Sequence, residues 1–219
     1  MRKLLPLFFL FTACAFGPGN FQSRQSTDIE SRRIKRIAVL PQMAMPADMR
    51  SKVPYAAALP ADAKPSEREA PEILAKLLYS AMLSLPQWQI VSDSEVREVG
   101  QGVAIGDEAA RLKRVGELVY ADAVLAGRVL RYRERVGEEW GAKSPASVAF
   151  VVDLLDVRRG DIAWSARFDE TQKSLSENLF ALGEVVRRGL RWLSAEELTS
   201  EGAKKAVNQL HQALFREPS

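Results

Sequence analysis

Apolar positions along this chain fall into two periods, and the places where one gives way to the other mark its elements. In "RIKRIAVLP" the residues Ile34, Ile37, Val39 and Leu40 form a short apolar run closed by Pro41, which predicts a strand. Residues 42–69 have no apolar period and carry prolines at 46, 54, 60 and 65, so they read as a long connection. Connections of that length are functional or disordered more often than not. "PEILAKLLYSAMLSLP" then steps by three and four through Leu74, Leu77, Leu78, Ala81, Met82 and Leu85. That stripe predicts a helix with Pro71 in its first turn and Pro86 past its end.

"WQIVS" is a short strand, and Ser92-x-x-Glu95 has the form of a capping box opening a helix with Val96 and Val99 inward. Asp107 is placed to cap the next helix, which buries Leu112, Val115 and Val119. A β-rich block follows: "ADAVLAGRVLRYRERV", "SVAFVVDLLDV" and "DIAWSARFDE". In the last of these, Ile162, Trp164, Ala166 and Phe168 alternate with Ala163, Ser165, Arg167 and Asp169, the mark of a half-buried strand. "RRGD" joins the last two strands, with Gly160 supplying the positive φ of a tight turn. Leu175, Leu179, Leu182, Val186, Leu190 and Leu193 then trace one helix, and Ser194-x-x-Glu197 caps a second that buries Ala203, Val207, Leu210 and Leu214. The expected fold class is α/β (α+β), a single mixed sheet with a three-strand C-terminal meander covered by helices.

The N-terminus follows a different rule. Arg2 and Lys3 precede an apolar run from Leu4 to Phe11, and Thr12-Ala13-Cys14 ends it. The run is shorter than the ~20 residues a membrane-spanning helix needs. Its charge, length and small-residue end are those of a secretory signal. Thr12-Ala13-Cys14 after Leu10-Phe11 resembles a bacterial lipobox, whose cysteine is diacylated and becomes the new N-terminus. By resemblance to lipoprotein sorting rules, Ala15 in the second position implies the outer membrane of a two-membrane bacterium, with the domain in the periplasm. The expected organisation is a signal peptide over 1–13, lipidated Cys14 and a flexible tether over 14–33, and one periplasmic domain over 34–219.

Composition narrows the function. The 31 basic and 28 acidic residues give +3, and loss of Arg2 and Lys3 with the leader leaves +1, which supplies no field for nucleic acid. One cysteine excludes an internal disulfide, and one histidine excludes the usual Cys/His zinc site, so no metal or cofactor is expected. No nucleophile elbow, P-loop or dinucleotide glycine pattern appears. His211 reads as a helix-surface residue, Asp153 and Asp156 as strand carboxylates, and Arg187, Arg188 and Arg191 as a solvated helix face. Trp164 reads as core. Trp140 does not, because Glu138, Glu139 and Gly141 around it offer no apolar neighbours. Together with Met45 and Tyr55 of the 42–69 connection, beside Met43 and Met49, it is the candidate partner-binding residue.

"RIAVLP", "ADAVLAGRVL" and "VDLLDVRRGDIAWSARFDE" resemble a group of bacterial envelope proteins. The group holds the curli-secretion channel lipoprotein, the lipoprotein activator of penicillin-binding proteins and the N-terminal domain of the Tol propeller protein. The resemblance implies a fold and a compartment, and brings no catalytic residues. The chain departs from the channel, whose spanning hairpins need ~9–11 alternating residues per strand. "RYRERVGEEWGAKSPAS" is charged on both faces and broken by glycine and proline. Its tether is shorter than the activator's. The expected function is therefore a non-catalytic assembly, secretion or peptidoglycan-synthesis accessory held to the membrane by lipid and acting on an envelope protein. The alternatives are a structural subunit of a homo-oligomeric envelope complex and a cell-envelope enzyme. Labelling with a fatty-acid analogue is expected to mark the wild-type chain and to fail on Cys14→Ser; a labelled Cys14→Ser chain would refute the anchor.

Overall fold

The structure, a computed structural model, describes residues 20–41, 65–103, 107–138, 141–172 and 192–215. Its frame is a mixed sheet whose strands are β1 (Phe21–Gln25), β2 (Arg36–Pro41), β3 (Gln89–Ile90), β4 (Ala123–Arg133), β7 (Ser147–Asp156) and β8 (Ile162–Thr171). They lie in the order β1-β8-β7-β4-β2-β3. β2 is parallel to β3 and β4, and the remaining pairs are antiparallel. Four described helices accompany it: α1 (Pro65–Leu83), α2 (Asp93–Gly102), α3 (Glu108–Leu118) and α4 (Ala195–Leu214).

The period of two decides which helix covers which face. On β2, Ile37 and Val39 point into one core while Ala38 and Leu40 point into another. The first core joins Leu125, Phe150, Leu154, Trp164 and Phe168 of the sheet to Leu74, Leu78 and Met82 of α1 and Leu198, Val207 and Leu210 of α4. The second joins Val124, Ala126 and Leu155 to Val96 of α2 and to Leu112 and Val115 of α3. α1 can approach β4 closely because residue 127 is glycine: a Cβ there would stand 2.8 Å from Leu74 Cδ2. The caps expected from sequence are formed. Ser92, Asp107 and Ser194 accept from the amides of Glu95, Ala110 and Glu197, and Glu197 closes the box at α4 by accepting from Ser194 N.

Three expectations are corrected. The tether assigned to 14–33 does not reach residue 33, because Phe21–Gln25 pairs antiparallel with β8 and a 3-10 turn over Ile29–Arg32 buries Ile29 and Arg32. α1 begins six residues earlier than Pro71, so the 42–69 connection ends at residue 64 and Pro71 lies in the second turn. There it removes one intrahelical hydrogen bond without ending a helix that Ala70 and Leu74 bury. The meander also carries an insertion: β5 (Val136–Glu138) and β6 (Gly141–Ser144) form a small separate hairpin between β4 and β7. The helix expected over 175–193 lies outside the described residues, save Trp192 and Leu193, of which Leu193 is buried ahead of α4.

Arg32 locks the N-terminal segment to the far side of the sheet. Its side chain is 2% exposed and meets Asp156, itself 1% exposed, at 3.4 Å and Asp161 at 2.6 and 2.9 Å. Nε donates to Asp28 at 3.1 Å. Asp156 also accepts from the amides of Arg158 and Arg159, so one carboxylate both caps the β7–β8 turn and receives the arginine. Gly160 takes the positive φ of that turn, as expected.

The hydrogen bond from Arg32 and its positive charge hold the Asp161 carboxyl below its ordinary value. A depressed folded pKa contributes stability that is complete above the unfolded value of about 3.9 and is lost as pH falls through the folded value. Asp161→Asn removes that contribution, so its thermal midpoint is expected to fall less steeply than the wild type's between about pH 5 and pH 2. Parallel curves over that range would show that the Arg32–Asp161 pair adds nothing.

Candidate functional site

The described elements do not cover the two sheet faces to the same extent. α2 and α3 pack against β2, β4 and the end of β7. The strand register shows what lies beyond them on the same face. Ala126 pairs with Asp153, Arg128 with Val151, Arg131 with Ala149 and Arg133 with Ser147. On the next strand Ser165, Arg167 and Asp169 continue the row, and Arg24 of β1 lies opposite Ser165. Residues paired directly across antiparallel strands share a face. Five arginines, Arg24, Arg128, Arg131, Arg133 and Arg167, thus stand on one side of the sheet with two aspartates.

Ion pairs organise part of this surface. Asp169 receives Arg131 at 2.5 Å and Arg167 at 2.9 Å, and Arg131 also donates to Ser147 at 2.6 Å. The aspartate is drawn two ways: its partial burial raises the carboxyl, the two arginines lower it, and the net shift is downward. Among the described residues Arg24 and Arg133 have no ion-pair partner, and both are exposed. Buried Ala149 lies in the midst of this polar face, as a small residue can beneath long arginine stems.

A shallow groove of about 220 Å³ marks the line where helix cover stops. Asp107, Glu108 and Leu112 of the α3 end form one wall, and Gly127, Arg128 and Asp153 of the sheet form the floor. Arg128 stands 3.6 Å from Glu108 and 3.9 Å from Asp153, while its Nε is buried with no hydrogen-bond partner. Asp153 is therefore a charge partner at a groove floor, its side chain 19% exposed, and is less open to solvent than a strand carboxylate on a bare face would be.

The sequence-derived candidates Cys14, Met45, Tyr55 and Trp140 all lie outside the described residues. The flanking chain shows where they attach. Residues 139 and 140 join β5 to β6, whose described residues Val136, Glu138 and Lys143 are exposed. This hairpin extends from the Arg133–Ser147 end of the open face. The 42–64 connection leaves from Pro41, level with Gly127, at the carboxyl end of β2. Asn20 lies beside Asp169, whose amide donates to the Asn20 carbonyl at 2.9 Å. The chain toward Cys14 thus leaves from the same end of the sheet as the hairpin and the connection.

His211 is more than a helix-surface residue. Its Nε2 lies 3.0 Å from the Pro86 carbonyl, and its ring packs edge-on to Trp88 at 5.1 Å and against Phe215 at 5.0 Å. It clasps α4 to the turn after α1. Trp164 is core, 2% exposed, as expected. Arg187, Arg188 and Arg191 lie outside the described residues. The open arginine face was missed by sequence reading, although Arg131, Arg133 and Arg167 occupy alternating strand positions that could have revealed it.

No protein-family model matches this chain, and no curated protein does. Among solved structures it is similar to the PelC dodecamer from Paraburkholderia phytofirmans, with TM-score 0.47 and 14% identity over 90% of this chain and 99% of that one. It is similar to lipoprotein GNA1162 from Neisseria meningitidis, with TM-score 0.39 and 18% identity over 82% and 99% of the two chains. It is also similar to the LpoB C-terminal domain from Salmonella enterica, with TM-score 0.35 and 14% identity over 63% and 83%. One of these three structures is itself a lipoprotein.

The Arg128 pairs are partly exposed and longer than hydrogen bonds, a kind of contact worth about 0–1 kcal/mol. Arg128→Met is therefore expected to change stability by about 1 kcal/mol or less, read from the urea midpoint. A loss beyond about 2 kcal/mol would make the trio a structural clamp on α3.

Proposed function

We propose that this chain is a lipid-anchored envelope protein, facing the periplasm from the outer membrane, that works by binding another envelope protein and not by catalysis. The leader that ends at Thr12-Ala13-Cys14 carries this reading, because no soluble domain has use for a basic, apolar and small-residue series closed by its only cysteine. The state of the polar groups supports it. Asp169 is paired with Arg131 and Arg167, and Nε2 of the single histidine faces the Pro86 carbonyl beside an aromatic cluster. The carboxyl-end groove is shallow and open, a shape suited to a protein surface.

Trp140 is the residue on which binding is expected to centre, with Met45 and Tyr55 contributing from the connection. The test is crosslinking from the native membrane followed by identification of the captured protein, with folded Trp140→Ala in parallel. An interface anchor costs about 2 kcal/mol or more on truncation, so capture should fall roughly thirtyfold or more. Unchanged capture would remove Trp140 from the site, and a lowered melting temperature would show that it packs on its own hairpin. Sizing of the detergent-extracted protein separates this reading from the homo-oligomeric subunit, which alone requires a defined higher assembly of one chain.

A further inference from the structure

The arginine-bearing face and the point where the chain enters the fold lie together, and this juxtaposition identifies the occupant. Asn20 is six residues from Cys14, which at ~3.3–3.6 Å each lets the intervening chain span at most ~20 Å. An acyl group on Cys14 therefore keeps Asn20, and with it Asp169, Arg131 and Arg167 on the adjoining strand positions, close to the bilayer surface. Arg133 and Arg24 are exposed on the same face without ion-pair partners among the described residues, and Lys143 is exposed on the hairpin beyond.

We propose that this open sheet face is a membrane-docking surface, on which Arg24, Arg133 and Arg167 engage the phosphates of anionic phospholipids and lay the face against the bilayer. The proposal rests on the lipid-anchor reading for the source of its ligand. Charge complementarity selects the ligand: the guanidinium fork matches phosphate oxygens. The strands β1, β8, β7 and β4 are spaced by ~4.8 Å and the arginines spread over six residue levels, so they form a shallow array about 14 Å across the strands and about 20 Å along them rather than a pocket. A single small anion could meet only one or two of them. A headgroup plane meets them all at once, and each basic residue near such a surface adds to a salt-sensitive attraction.

The experiment uses the chain from residue 14 onward with Cys14→Ser, which retains every described residue and removes lipid as a cause of binding. Vesicles of phosphatidylcholine alone are compared with vesicles containing about a third phosphatidylglycerol, by sedimentation in low salt and in 0.5 M NaCl. The expected result is at least tenfold tighter binding to the anionic vesicles, abolished in high salt. Arg24→Glu/Arg133→Glu should lower that binding at least tenfold, and Arg24→Gln/Arg133→Gln should lower it less. Lys76→Glu/Lys204→Glu makes the same change in net charge on exposed positions of α1 and α4, and it should bind nearly as the parent does. Equal binding to both vesicle types, or an equal loss in the Lys76/Lys204 pair, overturns the proposal. So does retention on an immobilised acidic peptide with none on vesicles, which would assign the face to an acidic protein. Because the probe carries no lipid, anionic-vesicle binding by a chain whose cysteine proves unacylated would keep the surface and refute only the anchor.

Discussion

A guanidinium taken out of water must be given anions and hydrogen-bond acceptors, or the fold that buries it is penalised by several kcal/mol. Arg32 is given Asp156 and Asp161 from the turn between the last two strands, and Asp28 from its own. Its buried partner Asp156 would be left with backbone amides alone and no opposite charge without it, and breaking a buried pair costs up to about 3–5 kcal/mol in a domain whose whole stability is of order 5–15. Geometry follows from that requirement. The Ile29–Arg32 turn can sit only at the β7–β8 turn, so the residues before it must run along β8 as an edge strand and those after it must return as β2. Arg158 reinforces the closure by donating to the Arg32 carbonyl.

That closure sets the direction in which the molecule meets its surroundings. With the buried arginine at one end of the sheet, β1 begins at the other, beside Asp169, Arg131 and the β5–β6 hairpin. The chain's short approach from Cys14, the open arginine face and the hairpin carrying Trp140 therefore share an end, while the β7–β8 turn and the end of α3 point away from it. One end of the domain is built from buried charge and tight turns. The opposite end carries Asn20, the Asp169–Arg131 pair and the exposed Arg133.

Much of this frame was legible in the sequence because it rests on local rules. The caps at Ser92, Asp107 and Ser194 need only a side chain three residues from an amide, and the Trp164–Phe168 alternation needs only the pleat. β1 was not legible. "FQSRQ" has one apolar residue because an edge strand paired on a single side buries little, so its polarity looked like a tether's. Arg32 was equally hidden: it sits in a run of polar residues, and the carboxylates that bury it are 124 and 129 positions away. The site was legible only as a list of unexplained residues. What joins those residues is register, and register between distant strands is a property of the folded sheet.

The uneven cover of the sheet gives the last step. A sheet with both faces apolar needs helices on both, and here the second face is continuously apolar where α2 and α3 lie, at Ala38, Leu40, Val124, Ala126 and Leu155. From Arg128 onward the same strands turn cationic while their other face stays apolar through Val148, Phe150 and Phe168. A strand whose inner face is that of a core and whose outer face is arginine cannot be slipped by one residue, since the slip of β4 alone would bury the guanidinium groups of Arg128, Arg131 and Arg133. The open face is thereby held rigid by the core beneath it. The backbone positions of its arginines are set by the strand register, so only their side chains have freedom to give up when the face meets a flat, anionic counterpart.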